Sequence, residues 1–446
     1  MKIVILGNGV SGITAARHIR KLSDHPITVV SDESDYFFSR TALMYVYMGH
    51  MRPKDLKPYE DWFWGKNRIN LVRARVQHID FESKKMHTSD GAVIEYDKLV
   101  LATGSQSNKF GWPGQDLQGV RGLYHWQDLE EMEKFSAGLQ RAVIVGGGLI
   151  GIEMAEMFHA RHIPVTFLVR EKSFWDVVLP AEESQMINRH IREHGIDLRL
   201  ETELQEILPD ENGRCRAVVT KSGEEIPCGY VGLTVGVSPN IGFLKNTALE
   251  TNRGILVDEF LQTNQPNVFA VGDCAEMRAP KPGRRPVEAV WYTGRMMGET
   301  VAKTICGSKT VYDPGIWFNS AKFLDIEYQV YGDVRAQLPD NQSTIYWEHP
   351  SGKKSIRLNF DKNSGVISGF NLMGVRYRHE VCEKWLREST PIETVLKHLG
   401  MANFDPEFYE QHESELVAVY NRQTGKNLVM QQMRGLRGVV QFLNTD

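Results

Sequence analysis

The spacing of hydrophobic residues divides the chain into two kinds of pattern. In the first two thirds, short apolar runs such as "KIVIL" and "RAVIV" are followed by glycines and then by apolar residues at helical spacing. Such runs, alternating with helices, are typical of parallel strands in βαβ units. From about residue 312, apolar and polar residues alternate in "IEYQVYGDV", "STIYWEH", "KSIRLNF" and "VISGFNLMG", with turn residues between the runs. This second pattern predicts an antiparallel sheet, and helical segments follow it.

Length, charge and termini narrow the class of protein. At 446 residues the chain exceeds the usual size of one domain, so two to four domains are expected. The net charge of −4 provides no basic field for nucleic acid. The N-terminus does not resemble a secretory signal and no apolar run is long enough to span a membrane, so a cytoplasmic location is expected. The final segment, "NLVMQQMRGLRGVVQFLNTD", combines apolar residues with Arg434 and Arg437; docking on its own domain is favoured over a membrane or partner anchor.

The cysteines give no sign of a disulfide framework or a metal centre. The chain has five, and they are scattered without a C-x-x-C pair or any spacing typical of zinc ligands. We therefore expect reduced cysteines, mostly in the core, and no metal site.

The first chemical signal is the glycine-rich turn in "KIVILGNGVSGITAARHI". Here Gly7 suits a tight turn, Gly9 lets a pyrophosphate approach the backbone, and Gly12 lets helix and strand pack closely. The following residues, Val10 and Ser11, begin a helix whose free N–H groups favour phosphate. A second apolar run, "PITVVSDE", ends in the carboxylates Asp32 and Glu33, at the distance expected for ribose binding.

The same arrangement recurs in "RAVIVGGGLIGIEMAEMFHA". Its glycines are Gly146, Gly148 and Gly151, with Leu149 and Ile150 at the start of the helix. Two loops of this kind in one chain imply two different dinucleotides, and FAD with a nicotinamide nucleotide is the expected pair.

With both loops and three further motifs, the chain resembles the pyridine nucleotide-disulfide oxidoreductase superfamily. "YDKLVLATGS" is similar to the segment that leaves the FAD domain, with Ala102, Thr103 and Gly104 near the cofactor, and "LTVGVSPN", with Gly236, is similar to its counterpart in the nucleotide domain. "TNQPNVFAVGDCAE" is similar to the second FAD motif, which implies that Gly272 and Asp273 bind the cofactor, that Asp273 takes the ribityl hydroxyl, and that the next helix N-terminus faces the flavin. Val76 matches the position whose backbone approaches the adenine.

The resemblance implies an α/β fold with two Rossmann-like domains and a C-terminal α+β interface domain. The expected boundaries are residues 1–112 with 241–311 for a discontinuous FAD-binding domain, 113–240 for the NAD(P)-binding domain, and 312–446 for an interface domain that forms a homodimer.

Within the superfamily, the chain resembles the branch of rubredoxin and ferredoxin reductases, nitrite reductase flavin domains and apoptosis-inducing-factor-like proteins, and its segment "FFSRTALMYVY" contains no cysteine. Thr41 stands where a related branch has a redox cysteine, and a threonine cannot cycle between thiolate and disulfide. The resemblance places Arg40 near the FAD phosphates and Tyr45 at a position where relatives carry a lysine that pairs with a glutamate, here Glu153. Simple packing is the alternative for Tyr45. Trp291 is a further candidate beside the flavin, also open to a packing role.

The nicotinamide donor and the electron acceptor are less sharply indicated. Arg170 suits a 2′-phosphate, whereas Gly151 and the neighbouring Glu171 favour NADH, so the donor is left as NAD(P)H. The expected activity is electron transfer from NAD(P)H through FAD to a small iron-sulfur or rubredoxin-like protein. A quinone or oxygen reductase, and a flavin-containing redox-sensing or interaction protein, are the alternatives.

Overall fold

The computed structural model describes residues 1–431, and these form two compact units. Unit 1 comprises residues 1–168 and 202–314, and unit 2 comprises residues 169–201 and the described residues from 315 onward. The three domain boundaries expected from the sequence are not tested by this division and stay a prediction. Residues 432–446, which include Arg434 and Arg437 of the expected docking segment, lie outside the described residues.

The strands and helices are numbered in chain order. The strands are β1 Ile3–Leu6, β2 Ile27–Ser31, β3 Ile69–Arg73, β4 Val76–Asp80, β5 Lys85–Thr88, β6 Val93–Glu95, β7 Lys98–Leu101, β8 Ser105–Ser107, β9 Val120–Arg121, β10 Ala142–Val145, β11 Val165–Leu168, β12 Asp197–Arg199, β13 Leu204–Pro209, β14 Cys215–Thr220, β15 Glu225–Pro227, β16 Tyr230–Leu233, β17 Val237–Pro239, β18 Ile255–Val257, β19 Val268–Ala270, β20 Ala275–Met277, β21 Phe318–Phe323, β22 Ile326–Gly332, β23 Gln342–Glu348, β24 Ser355–Asp361 and β25 Ile367–Met373. The helices are α1 Val10–Leu22, α2 Leu43–Tyr47, α3 Asp61–Lys66, α4 Trp126–Ser136, α5 Leu149–Ala160, α6 Ala181–Glu193, α7 Trp291–Ile305, α8 His379–Arg387, α9 Ile392–Lys397 and α10 Glu413–Thr424.

Unit 1 contains two parallel sheets, as the apolar runs predict. The first has the order β19-β7-β1-β2-β3 with every neighbouring pair parallel. In the second, β11, β10, β16 and β9 follow one another, again in parallel. Every residue of β1 and β10 is buried, which is the burial expected of parallel strands covered on both faces.

Unit 2 carries the antiparallel sheet predicted for the C-terminal part of the chain. Its five strands have the order β21-β22-β25-β24-β23, and all four neighbouring pairs are antiparallel. The helices α8, α9 and α10 contribute Trp385, Leu396 and Leu416 to a buried core that also contains Phe370 of β25. The α/β class with a C-terminal antiparallel sheet is thereby confirmed.

Within the described residues, none of the helices combines the length and the apolar character that crossing a bilayer requires.

Candidate functional site

A cavity of about 620 Å³ opens where the strands of the first parallel sheet end. We call it the glycine-loop cavity. The residues that follow β1, β2 and β7 all line it, as ligand sites of open α/β sheets do. Sixteen of the residues predicted from the sequence line this cavity: Gly7, Gly9, Val10, Ser11, Asp32, Glu33, Arg40, Val76, Ala102, Thr103, Gly104, Leu149, Ile150, Glu153, Asp273 and Trp291.

The first glycine loop has the geometry of a phosphate cradle. Gly7 has φ +116°, and a Cβ there would lie 2.0 Å from the carbonyl oxygen of Ala102. At Gly12 a Cβ would lie 2.1 Å from the carbonyl oxygen of Gly7, whereas at Gly9 it would meet nothing within 4 Å. The loop therefore needs glycine at its two closed positions for packing, and at Gly9 it opens towards the cavity, beside the N-terminus of α1.

The second loop repeats this geometry at the start of α5. Gly146 has φ +114°, a Cβ at Gly151 would lie 2.3 Å from the carbonyl oxygen of Gly146, and a Cβ at Gly148 would meet nothing within 4 Å. None of the three glycines lines the cavity, although Leu149 and Ile150 beside them do. Both loops can thus accept a pyrophosphate at their middle glycine.

Two predicted glycines shape the cavity without lining it. Gly12 lies under the first loop. Gly272 has φ +76°, and a Cβ there would lie only 2.3 Å from Ser11 Oγ. Gly104 does line the cavity, and its space is limited by the Tyr124 hydroxyl, 2.8 Å from the position of a Cβ. A further predicted glycine, Gly236, has φ +87° and follows β16.

The two predicted carboxylates after β2 differ in their partners. Asp32 is exposed and lines the cavity. Glu33 is held by Arg40, whose Nη1 and Nη2 donate to its two oxygens at 2.8 and 2.6 Å, and by the backbone N–H of Trp126 at 2.9 Å. Burial opposes ionisation, but hydrogen bonds from His125 and Arg40 outweigh it and lower the pKa of Glu33 to about 2. Asp32 therefore has the more accessible carboxylate for a ribose.

Arg40 is fixed against the cavity wall by aromatic and ionic contacts. Its guanidinium lies 4.5 Å from the centre of the Tyr124 ring, and Nη1 also donates to the Tyr124 carbonyl. The Tyr124 hydroxyl in turn donates to Asp273 Oδ2 at 3.0 Å and accepts from the backbone N–H of Ser105 at 2.9 Å. Burial raises the pKa of Asp273, against the hydrogen bonds from Tyr124 and Ser105. An acceptor oxygen is thereby held beside the cavity, where the ribityl hydroxyl is expected.

Not all of the candidates proposed to lie beside the flavin line the cavity. Glu153, Trp291 and Thr41 line the cavity, but Tyr45 is not among its lining residues. The ring of Tyr45 stacks on that of His50, with centroids 6.2 Å apart. The pairing of Tyr45 with Glu153 stays a prediction.

Arg170 lies in unit 2 and is exposed. Its Nε donates to Glu171 Oε1 at 2.8 Å. The choice between NADH and NADPH stays open.

Sequence reasoning missed several lining residues, one inside the first glycine motif and others outside the motifs. Asn8 lies between the first two glycines and donates from Nδ2 to the carbonyl oxygens of Ser34 and Tyr36 at 3.0 and 3.2 Å, which ties the first loop to the segment after β2. Tyr124 and His125 come from the turn before α4, about 20 residues beyond the nearest motif. No local pattern marks them, because their role depends on contacts across the fold.

No cysteine lines the cavity among the described residues. Burial raises the pKa of the Cys215 thiol to about 11 and that of Cys228 to about 12, and it also raises the pKa of Cys274 and Cys382. These four thiols are therefore unreactive at neutral pH.

The family model described as pyridine nucleotide-disulphide oxidoreductase matches residues 1–298. The chain belongs to this family. Its members are FAD-dependent oxidoreductases that use NAD(P)H. The family, the oxidoreductase class and the two cofactors expected from the sequence are thereby confirmed.

Three relatives illustrate the range of the family. Rhodocoxin reductase of Rhodococcus erythropolis is 32% identical over 72% of this chain and 76% of its own length. Rubredoxin-NAD(+) reductase of Ectopseudomonas oleovorans is 26% identical over 70% of this chain and 81% of its own length. Nitrite reductase [NAD(P)H] of Bacillus subtilis is 28% identical over 84% of this chain, which spans only 44% of that protein.

The fold is similar to solved reductase structures. A ferredoxin reductase from Rhodopseudomonas palustris superimposes with a TM-score of 0.76 at 23% identity, covering 92% of this chain and 98% of its own. The likeness extends into the C-terminal region and supports the fold expected from the motifs.

Proposed function

We propose that this chain transfers electrons from NAD(P)H through bound FAD to a small iron-sulfur or rubredoxin-like protein. The observation that carries the proposal is the cavity itself, which is lined by residues of both dinucleotide motifs and, among the described residues, by no cysteine. Bound FAD supplies a ring that accepts hydride and releases electrons one at a time.

The residues fit such a cofactor along its length. The open face of Gly9 and the N-terminus of α1 suit the pyrophosphate, Asp32 suits the adenosine ribose, and Val76 suits the adenine. Asp273 accepts hydrogen bonds and suits a ribityl hydroxyl. Leu149 and Ile150 bring the second loop to the same cavity, so that a nicotinamide nucleotide held there would be near the flavin.

We infer the electron acceptor from the lack of a thiol in the described cavity lining and from the names of relatives. With Thr41 in the cavity wall, no thiol in the described lining can take electrons and pass them to a disulfide or a peroxide. NAD(P)H gives up a hydride, which carries two electrons, and becomes NAD(P)⁺. Two acceptor molecules each take one electron, and the proton passes to solvent. Relatives named rubredoxin-NAD(+) reductase and rhodocoxin reductase favour a protein acceptor.

The test is an anaerobic titration followed by turnover. The purified protein is titrated with NADH and then NADPH while the flavin absorption is recorded, and the reduced protein is mixed with rubredoxin, a [2Fe–2S] ferredoxin, a quinone or oxygen. We expect rapid bleaching with one nucleotide and faster reoxidation by an iron protein than by quinone or oxygen. Fast turnover only with quinone or oxygen would overturn the acceptor, and a protein without flavin would overturn the cofactor assignment.

We further propose a homodimer in the cytoplasm. The dimer rests on the resemblance of the C-terminal region to the interface domain of the family, and the location is supported by five cysteines that are all unpaired. Light scattering after gel filtration is expected to give twice the chain mass of 50.8 kDa. A mass of one chain at micromolar concentration would contradict the dimer.

A further inference from the structure

Unit 2 contains a cluster of two histidines and an aspartate that the proposed reaction does not use. His190 lies on α6, and His194 directly follows the helix. Residues four apart on a helix share one face. Asp325 lies in the turn between β21 and β22, so segments that are 135 residues apart in the chain meet at this point.

The distances among the three side chains suit a common ion. His190 Nε2 contacts Asp325 Oδ1 directly, and His194 Nε2 lies 3.6 Å from the same oxygen. One ligand atom from each residue can be chosen so that all three lie within 4.8 Å of one another. Two ligand atoms bound to zinc at ~2.1 Å in tetrahedral geometry are about 3.4 Å apart. A small rotation of the Asp325 carboxylate would therefore admit the ion.

The protonation of His194 supports ligation. Its Nδ1 lies 2.9 Å from the backbone carbonyl oxygen of His190, which can only accept a hydrogen bond. Nδ1 therefore carries the proton in the neutral ring, and the lone pair is on Nε2, the atom that faces Asp325. Metal-binding histidines are usually oriented by such a bond from the other ring nitrogen.

One side chain of the cluster is buried, and the other two are accessible to solvent. The His190 side chain is 1% exposed, that of His194 is 26% exposed and that of Asp325 is 55% exposed. His190 Nδ1 is buried and makes no hydrogen bond within the described residues, although Glu193 Oε2 lies 3.7 Å away. An ion could enter from the Asp325 side, while a carboxylate is at hand to orient the buried ring.

One positive charge opposes an ion at this place. Lys353 Nζ donates to Asp325 Oδ2 at 3.1 Å, the oxygen that does not face the histidines. A bound divalent cation would repel this ammonium, so Lys353 limits the affinity.

We propose that His190, His194 and Asp325 bind a divalent transition-metal ion, with zinc the best fit, and that the ion links α6 to the turn between β21 and β22. Two imidazoles and one carboxylate are ligands that zinc prefers, and a fourth position is left for water. The sequence gave no sign of this site, because its ligands are distant in the chain and meet only in the fold.

The test uses the untagged, FAD-loaded protein and measures zinc binding by calorimetry and by the thermal unfolding midpoint. We expect saturable zinc binding, a rise in the midpoint with zinc and no response to magnesium. His194→Gln and Asp325→Asn should each weaken binding at least about tenfold, since even loss of an outer partner costs about 10- to 100-fold.

Two further variants make the test specific. His398→Gln is the matched control, because His398 is also half-buried, places Nδ1 2.9 Å from the carbonyl oxygen of Thr394 and forms no ion pair within residues 1–431; zinc binding should be unchanged. Lys353→Gln should strengthen binding. The proposal is overturned if the wild-type protein does not bind zinc, if all variants bind it equally, or if Lys353→Gln weakens binding.

Discussion

At the scale of single residues, the middle glycine of each loop is the most informative position. Gly9 and Gly148 both have extended backbones, with φ −72° and −116°, and a Cβ on either would meet nothing within 4 Å. A valine is therefore compatible with the fold at both sites, but at either one it would occupy the approach of a pyrophosphate.

We predict that Gly9→Val loses FAD while Gly148→Val keeps it. The Gly9 variant should show a flavin affinity reduced at least about tenfold, which corresponds to about 1.4 kcal/mol. The Gly148 variant should remain yellow but be reduced far more slowly by NAD(P)H. Flavin content, circular dichroism and anaerobic reduction measure these outcomes. Full flavin occupancy in folded Gly9→Val would contradict the assignment of the first loop.

Glu33 gives a prediction about pH. Its pKa in the folded protein, about 2, is below the ordinary value of 4.5. Ionised Glu33 therefore stabilises the folded protein by about 3 kcal/mol. This stabilisation is fully present when the pH is above the ordinary pKa and is lost as the pH falls towards the pKa in the folded protein. Glu33→Gln should unfold more easily at neutral pH and should lose less stability than wild type on acidification to about pH 3.

The control for this prediction is Asp55→Asn. Asp55 also has a pKa of about 2, because of hydrogen bonds from Arg52, but it lies exposed at the surface, so its loss should change stability little. Urea unfolding of all three proteins across this pH range makes the comparison. Equal acid sensitivity of wild type and Glu33→Gln would show that Glu33 is not the titrating group.

At the scale of elements, the close packing of α1 against α7 fixes the wall of the cavity. A Cβ at Gly298 of α7 would lie 2.6 Å from the carbonyl oxygen of Ser11, and one at Gly294 would lie 2.6 Å from Ser11 Oγ. Since Ser11 and Trp291 both line the cavity, the distance between these helices sets its width. Here the sequence offers two helical glycines but no sign of which surface they face.

We therefore predict that Gly298→Ala destabilises the protein by about 1–3 kcal/mol and weakens FAD binding, because the added methyl group must separate the helices. Gly65→Ala is the matched control. Gly65 is in α3, where a Cβ would meet nothing within 4 Å, so alanine should be neutral or stabilising by about 1 kcal/mol. Thermal unfolding and flavin titration measure both. A Gly298→Ala protein as stable as wild type would contradict the packing argument.

The segment "FFSRTALMYVY" is explained at the same scale. Thr41 and Met44 line the cavity, whereas Tyr47 is buried, with its hydroxyl 2.5 Å from Ser136 Oγ and its ring under the Arg161 guanidinium at 3.6 Å. The short helix α2 thus presents one face to the site and packs the other against α4 and α5. Its role is to form the wall, with no thiol of its own.

At the scale of the whole molecule, the distribution of cysteines predicts resistance to alkylation. Of the five, only Cys306 is half-buried, and it does not line the cavity. Treatment of the native protein with N-ethylmaleimide should add at most one label and leave electron transfer unchanged, since the buried thiols stay protonated. Mass spectrometry and turnover measure this, with the unfolded protein as the control for complete labelling. Loss of activity that parallels labelling would indicate a thiol in the reaction.

The sequence alone determined the modules of this protein. Strand, glycine turn and helix are encoded locally, because a positive φ at Gly7 and Gly146 and contacts at Gly12 and Gly151 permit few other residues. The motif order then led to the family, the cofactors and the parallel sheets. The alternation of residues after about position 312 gave the antiparallel sheet.

Only the tertiary structure decided which side chains meet. In the fold, Glu33 binds Arg40, and Asp32 remains accessible. Tyr124 contacts Asp273, and Tyr45 does not line the cavity. The fold also joined His190 and His194 to Asp325. These contacts connect residues distant in the chain, and their energies depend on burial and on the partners that packing supplies, which no local pattern of residues specifies.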